Sequence, residues 1–231
     1  MFYWYGIDWT YLVLVMPAII FALIAQGMVT STFNKYAKVA TRCGMTGQQA
    51  ARMILEENGI HDVRIEHISG ELNDHFDPRA GVIRLSDATY ASTSAAAVGV
   101  AAHEAGHAVQ HARQYTPIQI RMAIIPITNI GSKLTFPLIL IGALLSLPSL
   151  VYVGIAFFAL STVFQLVTLP VEFNASKRAM KALRACGRMD SDELTASRKV
   201  LTAAAMTYVA ALAVSLMQLI RLLLIFGRSR D

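Results

Sequence analysis

The sequence predicts a mainly α integral membrane protein, with about four transmembrane helices and a small α+β cytoplasmic portion holding a short antiparallel sheet. Three observations lead there. Of 231 residues, 55% are hydrophobic and only 15% charged, against about 25% charged in an average soluble domain. That balance excludes an ordinary water-soluble globule and a disordered chain. Several stretches run without formal charge over lengths a bilayer requires. One segment, about 31–120, instead mixes helix-type and strand-type patterns among charged residues.

The first uncharged stretch is the 26 residues from Trp9 to Asn34, more than the ~20 that cross a hydrocarbon core. It places a span at about 9–31. No Lys or Arg precedes it, so it reads as an uncleaved anchor without a basic n-region. Phe2, Tyr3, Trp4, Tyr5 and Trp9 fit an interfacial aromatic belt. The second hydrophobic zone, Met122 to Val171, is interrupted only by Lys133. Its 38 uncharged residues from Leu134 onward would make one helix about 57 Å long, too long for one crossing. Leu147-Pro148-Ser149 offers a turn, giving spans at about 124–146 and 150–170. Lys133 then falls inside the second span at a cost of about 2.5–3.5 kcal/mol unless it meets protein or water. The alternative is a shorter helix starting after Lys133, with 118–132 along the interface. Val200 to Ile220 supplies the fourth span, about 200–222, with Arg221 expected to snorkel to the headgroups.

Four spans put 31–120 and 171–199 on one side of the membrane. Lys35, Lys38, Arg42, Lys177, Arg178, Lys181, Arg184 and Arg188 lie there near span ends, which by the positive-inside bias marks the cytoplasm; Arg228 and Arg230 count against it. The net charge of +5 is assigned to lipid headgroups of the bilayer. Nucleic acid is not a predicted partner, since no Arg-rich run interleaved with aromatics occurs. Cys43 and Cys186 lack metal-type spacing and read as small buried residues of a reduced compartment. No internal repeat is present, and residues 1–231 read as one membrane-bound domain.

Within 31–120, Thr46-Gly47-Gln48-Gln49 is a capping-box pattern opening a helix that Asn58-Gly59 closes. Val63, Ile65 and His67 alternate as in a half-buried strand, and Gly81–Leu85 forms another after the turn signal Asp77-Pro78. An alanine-rich helix then runs from Ser92 or Ser94 to about Arg113. Toward the end of the chain, Asp190 and Glu193 read as the cap and first-turn acid of the last helix.

The alanine-rich helix contains His103-Glu104-Ala105-Gly106-His107, an H-E-x-x-H motif. Positions i and i+4 stack on one helix face, so both imidazoles can reach one Zn²⁺. Glu104 stands beside them, placed to take a proton from water that the ion acidifies. With 6 His in the chain, a chance match is expected at roughly 0.5%. Ala101, Ala102, Ala105, Gly106 and Ala108 leave room for a metal, a substrate and a neighbouring helix. His111 cannot join the site, because eight residues rise about 12 Å whereas two nitrogens on one zinc lie about 3–3.5 Å apart. The third ligand must come from elsewhere on the same side. Glu172, a carboxylate at the end of a span, is the candidate, with pairing to Lys177 or Arg178 as the plainer role. A single span between 122 and 171 would put it across the membrane from His107.

The run His103–His111, with Asn73-Asp74-His75-Phe76-Asp77-Pro78-Arg79 upstream and Leu169-Pro170-Val171-Glu172-Phe173-Asn174-Ala175-Ser176 downstream, resembles the YugP-like family of neutral zinc metallopeptidases over nearly the whole chain. The resemblance implies a zincin-like soluble portion and a multi-pass peptidase of the bacterial cell membrane. More distantly the sequence is similar to the HtpX and CAAX-prenyl protease class of membrane gluzincins, where a downstream glutamate completes the metal site. There an acidic residue four places after that glutamate supports a ligand histidine. Here that place is Ser176, so support falls to Ser176, Asn174 or another group.

The expected function is therefore a zinc-dependent endopeptidase acting at the cytoplasmic membrane interface on peptides or membrane-protein substrates. Zn²⁺ is assigned to His103, His107 and Glu172, and general-base work to Glu104. His75 and Tyr90 are candidate oxyanion donors, beside plain turn or core roles. The strand Val82–Leu85 is a candidate edge for pairing an extended substrate, or an ordinary covered strand. The competing reading is a non-catalytic membrane scaffold with a closed structural metal site. No feature specifies an oligomeric state.

Overall fold

The computed structural model of the chain describes residues 3–4 and 7–227. Two short strands, β1 (Tyr3–Trp4) and β2 (Ile7–Asp8), pair antiparallel ahead of helix α1 (Tyr11–Tyr36). There follow α2 (Gly47–Glu57), β3 (Arg64–Ile68), β4 (His75–Asp77), β5 (Val82–Ser86), α3 (Ala95–Ala112), α4 (Thr116–Leu144), α5 (Pro148–Ala185) and α6 (Ser191–Gly227). Phe2 and Tyr5 of the aromatic set, and Arg228 and Arg230, lie outside the described residues.

The chain divides into two compact units. The first takes Met1–Ala25, Ile120–Leu169 and Thr207–Asp231, the second Gln26–Gln119 and Pro170–Met206. Helices α1, α4, α5 and α6 contribute to both, and these four are long and apolar enough to cross a membrane. Two of them exceed the predicted spans considerably. α4 starts at Thr116 and continues through Pro126 and Pro137, so residues 118–132 belong to the spanning helix and do not form a separate interfacial one. Lys133 is exposed on it.

In the first unit, Asp8 opens α1 by accepting hydrogen bonds from the Thr10 hydroxyl (2.6 Å) and the Tyr11 amide (3.1 Å). Tyr11–Val15 is wound as a π-helix, with the Met16 amide reaching back to the Tyr11 carbonyl. Pro17 lacks an amide hydrogen and its ring crowds the carbonyl four residues behind, a clash that a widened turn absorbs. Between α4 and α5 the chain turns through Ser146 at φ 55°, with the Leu147 amide on the Gly142 carbonyl at 2.8 Å. Pro148 then opens α5, where a missing amide hydrogen costs nothing. α4 and α5 meet through small residues: a Cβ on Gly154 would lie 2.7 Å from Ile139, the packing mode of helices that gain nothing from hydrophobic collapse. The Thr162 and Ser215 hydroxyls bond α5 to α6 at 2.7 Å. Phe136 and Leu144 are 72% and 74% exposed, surfaces suited to lipid and not to water. Arg221 has a protein partner: its Nε donates to Asp8 Oδ2 at 2.8 Å and its guanidinium lies over the Tyr11 ring. An acid 213 positions away was available, and pairing satisfies both charges.

In the second unit the capping box forms as predicted, with Thr46 and Gln49 satisfying each other's amides. Gly59 closes α2 at φ 71°. The sheet has the order β3-β5-β4 and is mixed, not antiparallel: β3 pairs parallel with β5, and β4 antiparallel with it. β5 is thus the central strand, buried along most of its length. Both its edges are taken, so of the two roles considered for Val82–Leu85 the strand is the covered one, not the substrate-pairing edge.

α3 is capped by Ser94, whose hydroxyl accepts from the Ala97 amide. Its Ala95, Ala96, Ala97, Ala101, Ala102 and Ala105 are fully buried, the signature of a helix surrounded on all sides. Glu193 ties a loop to the start of α6. It is 3% exposed and accepts from the Arg42 amide (2.6 Å) and the Asp190 amide (3.0 Å), while Asp190 Oδ1 accepts from the Glu193 amide. Glu193→Ala leaves two amides without their acceptor, so it is expected to cost about 2–3 kcal/mol. A lowered thermal midpoint in detergent checks this; an unchanged one contradicts it.

Candidate metal centre

α3 supplies two histidines and α5 a carboxylate to one point, all within the second unit. His103 Nε2 lies 3.2 Å and His107 Nε2 3.5 Å from Glu172 Oε2. The two rings are nearly perpendicular, with centroids 4.6 Å apart. Among the described residues this is the one group of three or more His, Cys, Asp or Glu whose ligand atoms converge, all lying within 4.8 Å of one another. Donors bound to one zinc ion lie about 3–3.5 Å apart, so small side-chain adjustments suffice. Two imidazoles and a carboxylate are a donor set that suits zinc.

The approach depends on Gly106. A Cβ there would stand 2.6 Å from the Ala175 carbonyl oxygen, so only glycine lets the α3 and α5 backbones come this close. Gly99 does the same beside Ser197, whose hydroxyl donates to the Ala95 carbonyl.

The outer nitrogen of each ring has its own partner. His103 Nδ1 is 3.1 Å from Ser176 Oγ, and His107 Nδ1 is 3.0 Å from Gln110 Oε1. Gln110 donates both amide hydrogens onward, to the Val171 carbonyl (2.8 Å) and Asn174 Oδ1 (3.0 Å). Its Oε1 must therefore accept, which puts the proton on His107 Nδ1 and leaves Nε2 facing Glu172. Asn174 Oδ1 also accepts from Arg178 Nε at 2.7 Å. Metal-ligating histidines are held in this way, with the far nitrogen hydrogen-bonded. Ser176 thus stands against His103, and Asn174 acts on His107 through Gln110. Gln110 carries more than the sequence reading assigned it, whereas Gly106 admits the neighbouring helix as expected. Gln110 lies one turn after His107 on the same face, a spacing that could have pointed to it.

Glu104 stays out of the ligand cluster. It is 9% exposed, and its Oε2 accepts the Phe76 amide of β4 at 2.9 Å. Burial raises its pKa above the ordinary value, against the opposing pull of His103 and His107. For Glu172 burial acts the same way, but hydrogen bonds from His103 and His107 outweigh it and hold the carboxyl far below its usual range. Burial disfavours the His107 imidazolium, yet the bond to Glu172 and the charge of Glu104 leave its pKa raised.

His75 and Tyr90 are engaged elsewhere. The His75 ring contacts the Asn73 carbonyl (2.8 Å) and Arg84 (3.4 Å). Tyr90 packs on the core of the unit and against His67, which pairs with Asp87. Among the described residues these contacts do not include His103, His107 or Glu172. His111 is exposed, with its ring edge toward Phe76. Cys43 and Cys186 are free and partly buried.

Four helices long and apolar enough to cross a membrane and a His-His-Glu cluster that could hold a metal ion beside a buried glutamate fit the class of membrane zinc peptidases. Residues 11–227 match the family described as "putative neutral zinc metallopeptidase", and the chain belongs to that family. It is 43% identical over 221 residues to the "putative membrane protease YugP" of Bacillus subtilis (strain 168), covering 96% of this chain and 98% of that protein. No solved structure matches it.

Removing the imidazole supports should loosen the metal without abolishing it. Ser176→Ala and Gln110→Ala are each expected to weaken zinc binding about 10–100-fold, and Gly106→Ala more, since it separates the two helices. Zinc titration against a competing chelator measures all three, and equal affinity in Gly106→Ala would contradict the close-approach argument. A second expectation concerns the chelated protein. Because the His107 pKa is raised, its stabilising contribution is complete below its ordinary value of 6.5 and lost as pH rises through the folded value. Glu104, also raised, acts in the same direction above 4.5. The lowered Glu172 contributes above 4.5 and is lost in acid. The metal-free thermal midpoint should therefore fall from pH 6 toward pH 9, while the increment gained on adding zinc grows. A flat pair of profiles would count against the pairing.

Proposed function

We propose that the protein is a zinc-dependent endopeptidase embedded in the bacterial cell membrane, cleaving membrane proteins or their exposed tails at the cytoplasmic face. The observation that carries this reading is Glu104: a buried carboxylate one residue from a ligand histidine, held by the Phe76 amide and kept off the ligand cluster. A purely structural metal site has no use for such a group, which counts against the scaffold reading.

His103, His107 and Glu172 hold the ion, and Ser176 and Gln110 orient the two imidazoles. Zinc held there supplies Lewis acidity toward a peptide carbonyl and makes water acidic enough to ionise near neutral pH. The Phe76 amide fixes Glu104 Oε2 and leaves Oε1 to accept the proton of the attacking water. Glu104 then returns that proton to the amine nitrogen that leaves. Among the described residues only three side chains would hold the ion, the number a catalytic rather than a closed structural zinc site uses. Support for membrane substrates comes from Glu172, which follows the spanning stretch of α5 on the same continuous helix, and from the membrane protease name of the relative. Support for the cytoplasmic side is the positive charge beside the spans.

Glu104→Gln is expected to retain zinc and lose proteolysis about 10²–10⁴-fold, whereas His103→Ala loses the metal itself. Metal content by mass spectrometry, together with cleavage of a quenched peptide library by the reconstituted protein, distinguishes the two. Full cleavage by zinc-loaded Glu104→Gln would refute the assignment.

A further inference from the structure

We propose that a groove between the second-unit segments of α5 and α6 is a binding site for an anionic phospholipid, taking the headgroup on its cations and the first part of an acyl chain on its apolar wall. The groove encloses 640 Å³. Lys177, Lys181 and Arg184 line it from α5 at helical spacing and so share one face, while Arg198 lines it from α6. All four are exposed, no acidic residue lines the groove, and none of the four forms an ion pair among the described residues. Four uncompensated cations around one concavity call for an anion.

The wall narrows the choice of anion. Phe173, Met180 and Leu201 line the same space, and Phe173 is 49% exposed. Inorganic phosphate gains nothing from them, whereas an acyl chain covers them. The groove also lies on helices that continue directly into spanning stretches, α5 before Pro170 and α6 after Met206. Basic pockets between helices beside the membrane are where anionic headgroups bind. A general inside-positive bias needs charge near the spans but not convergence on one cavity. Arg178, next in sequence, turns instead to Asn174 and the Tyr115 ring.

Occupancy has a local consequence. Ser176 lines the groove and its Oγ faces His103 Nδ1, so a bound lipid steadies the turn of α5 that supports the metal cluster. The lipid site itself stands independently of the peptidase reading and is tested on protein that need not be active.

The test is native mass spectrometry of the full-length protein released from detergent micelles with added phosphatidylglycerol or phosphatidylcholine of identical chains. Retention of phosphatidylglycerol is expected to be about tenfold higher, and to fall about tenfold in Lys177→Gln/Lys181→Gln/Arg184→Gln/Arg198→Gln. Neutralising Lys38, Arg64, Arg79 and Arg113, which lie outside the groove, should change it less than about twofold. A photoactivatable phosphatidylglycerol on the unaltered protein should label α5 between Phe173 and Arg184, which needs no variant to fold. Equal retention of the two lipids, undiminished retention in the groove variant, or labelling elsewhere overturns the proposal. So does displacement of the lipid by inorganic phosphate or by a glutamate-rich peptide at equal concentration, the first indicating a free-anion site and the second a peptide site.

Discussion

A carboxylate 2% exposed on a helix that also crosses a membrane has to be compensated, and Glu172 sets the terms for everything around it. An ionised carboxylate taken from water without partners costs several kcal/mol even after relaxation. Two imidazoles within 3.5 Å supply that compensation, or a cation shared with them does. Both require the α5 backbone to lie almost against α3, which explains why α3 is built from alanine and glycine where ordinary helices carry larger residues. The Ala175 carbonyl against Gly106 is the point of closest approach.

Residues 171–176 of α5 furnish the polar partners described for the two histidines outside their own helix. Glu172 meets both Nε2 atoms, Ser176 meets His103 Nδ1, and the Val171 carbonyl and Asn174 hold the amide that meets His107 Nδ1. The ligand and the groups that orient the other ligands therefore belong to one rigid segment. Small movements of that segment change all the contacts together, whereas separate loops would let each ligand drift on its own. Glu104 is steadied differently, by a strand amide, so the proton-accepting group answers to the sheet and the metal ligands answer to α5.

Much of this was legible in the sequence where a periodic rule applies. The histidines four apart follow from helical geometry alone, and Glu172 from the cost of a lone acid at a span end. The Thr46 capping box, the Gly59 terminus and the turn at Pro148 are local motifs, and they form where expected. Contacts between distant positions were not legible in the same way. Strand alternation reports which residues are half-buried but not which strand lies in the middle, so β5 read equally as an edge or a covered strand, and the sheet as antiparallel. Arg221 lacked any sequence cue to Asp8, because at that separation pairing is decided by the packing of helices. Gln110 received no role from the sequence, although its spacing from His107 places it on the ligand face.

Residues 171–184 of α5 also show how one helix keeps incompatible surroundings apart. Glu172, Ala175, Ala179 and Leu183 are buried, following the i, i+3, i+7, i+11 stripe of a single face. Phe173, Lys177, Lys181 and Arg184 occupy the neighbouring face and line the cationic groove. Asn174 and Arg178 lie on a third, toward Gln110 and Tyr115. A one-residue shift turns a helix by about 100°. That rotation would carry Glu172 out of the core and bring Phe173 toward the imidazoles, which it could not serve. Register is therefore as strict a requirement here as residue identity. The small residue at 175 and the glycine at 106 enforce it, since any other rotation would drive a bulkier side chain into the α3 backbone.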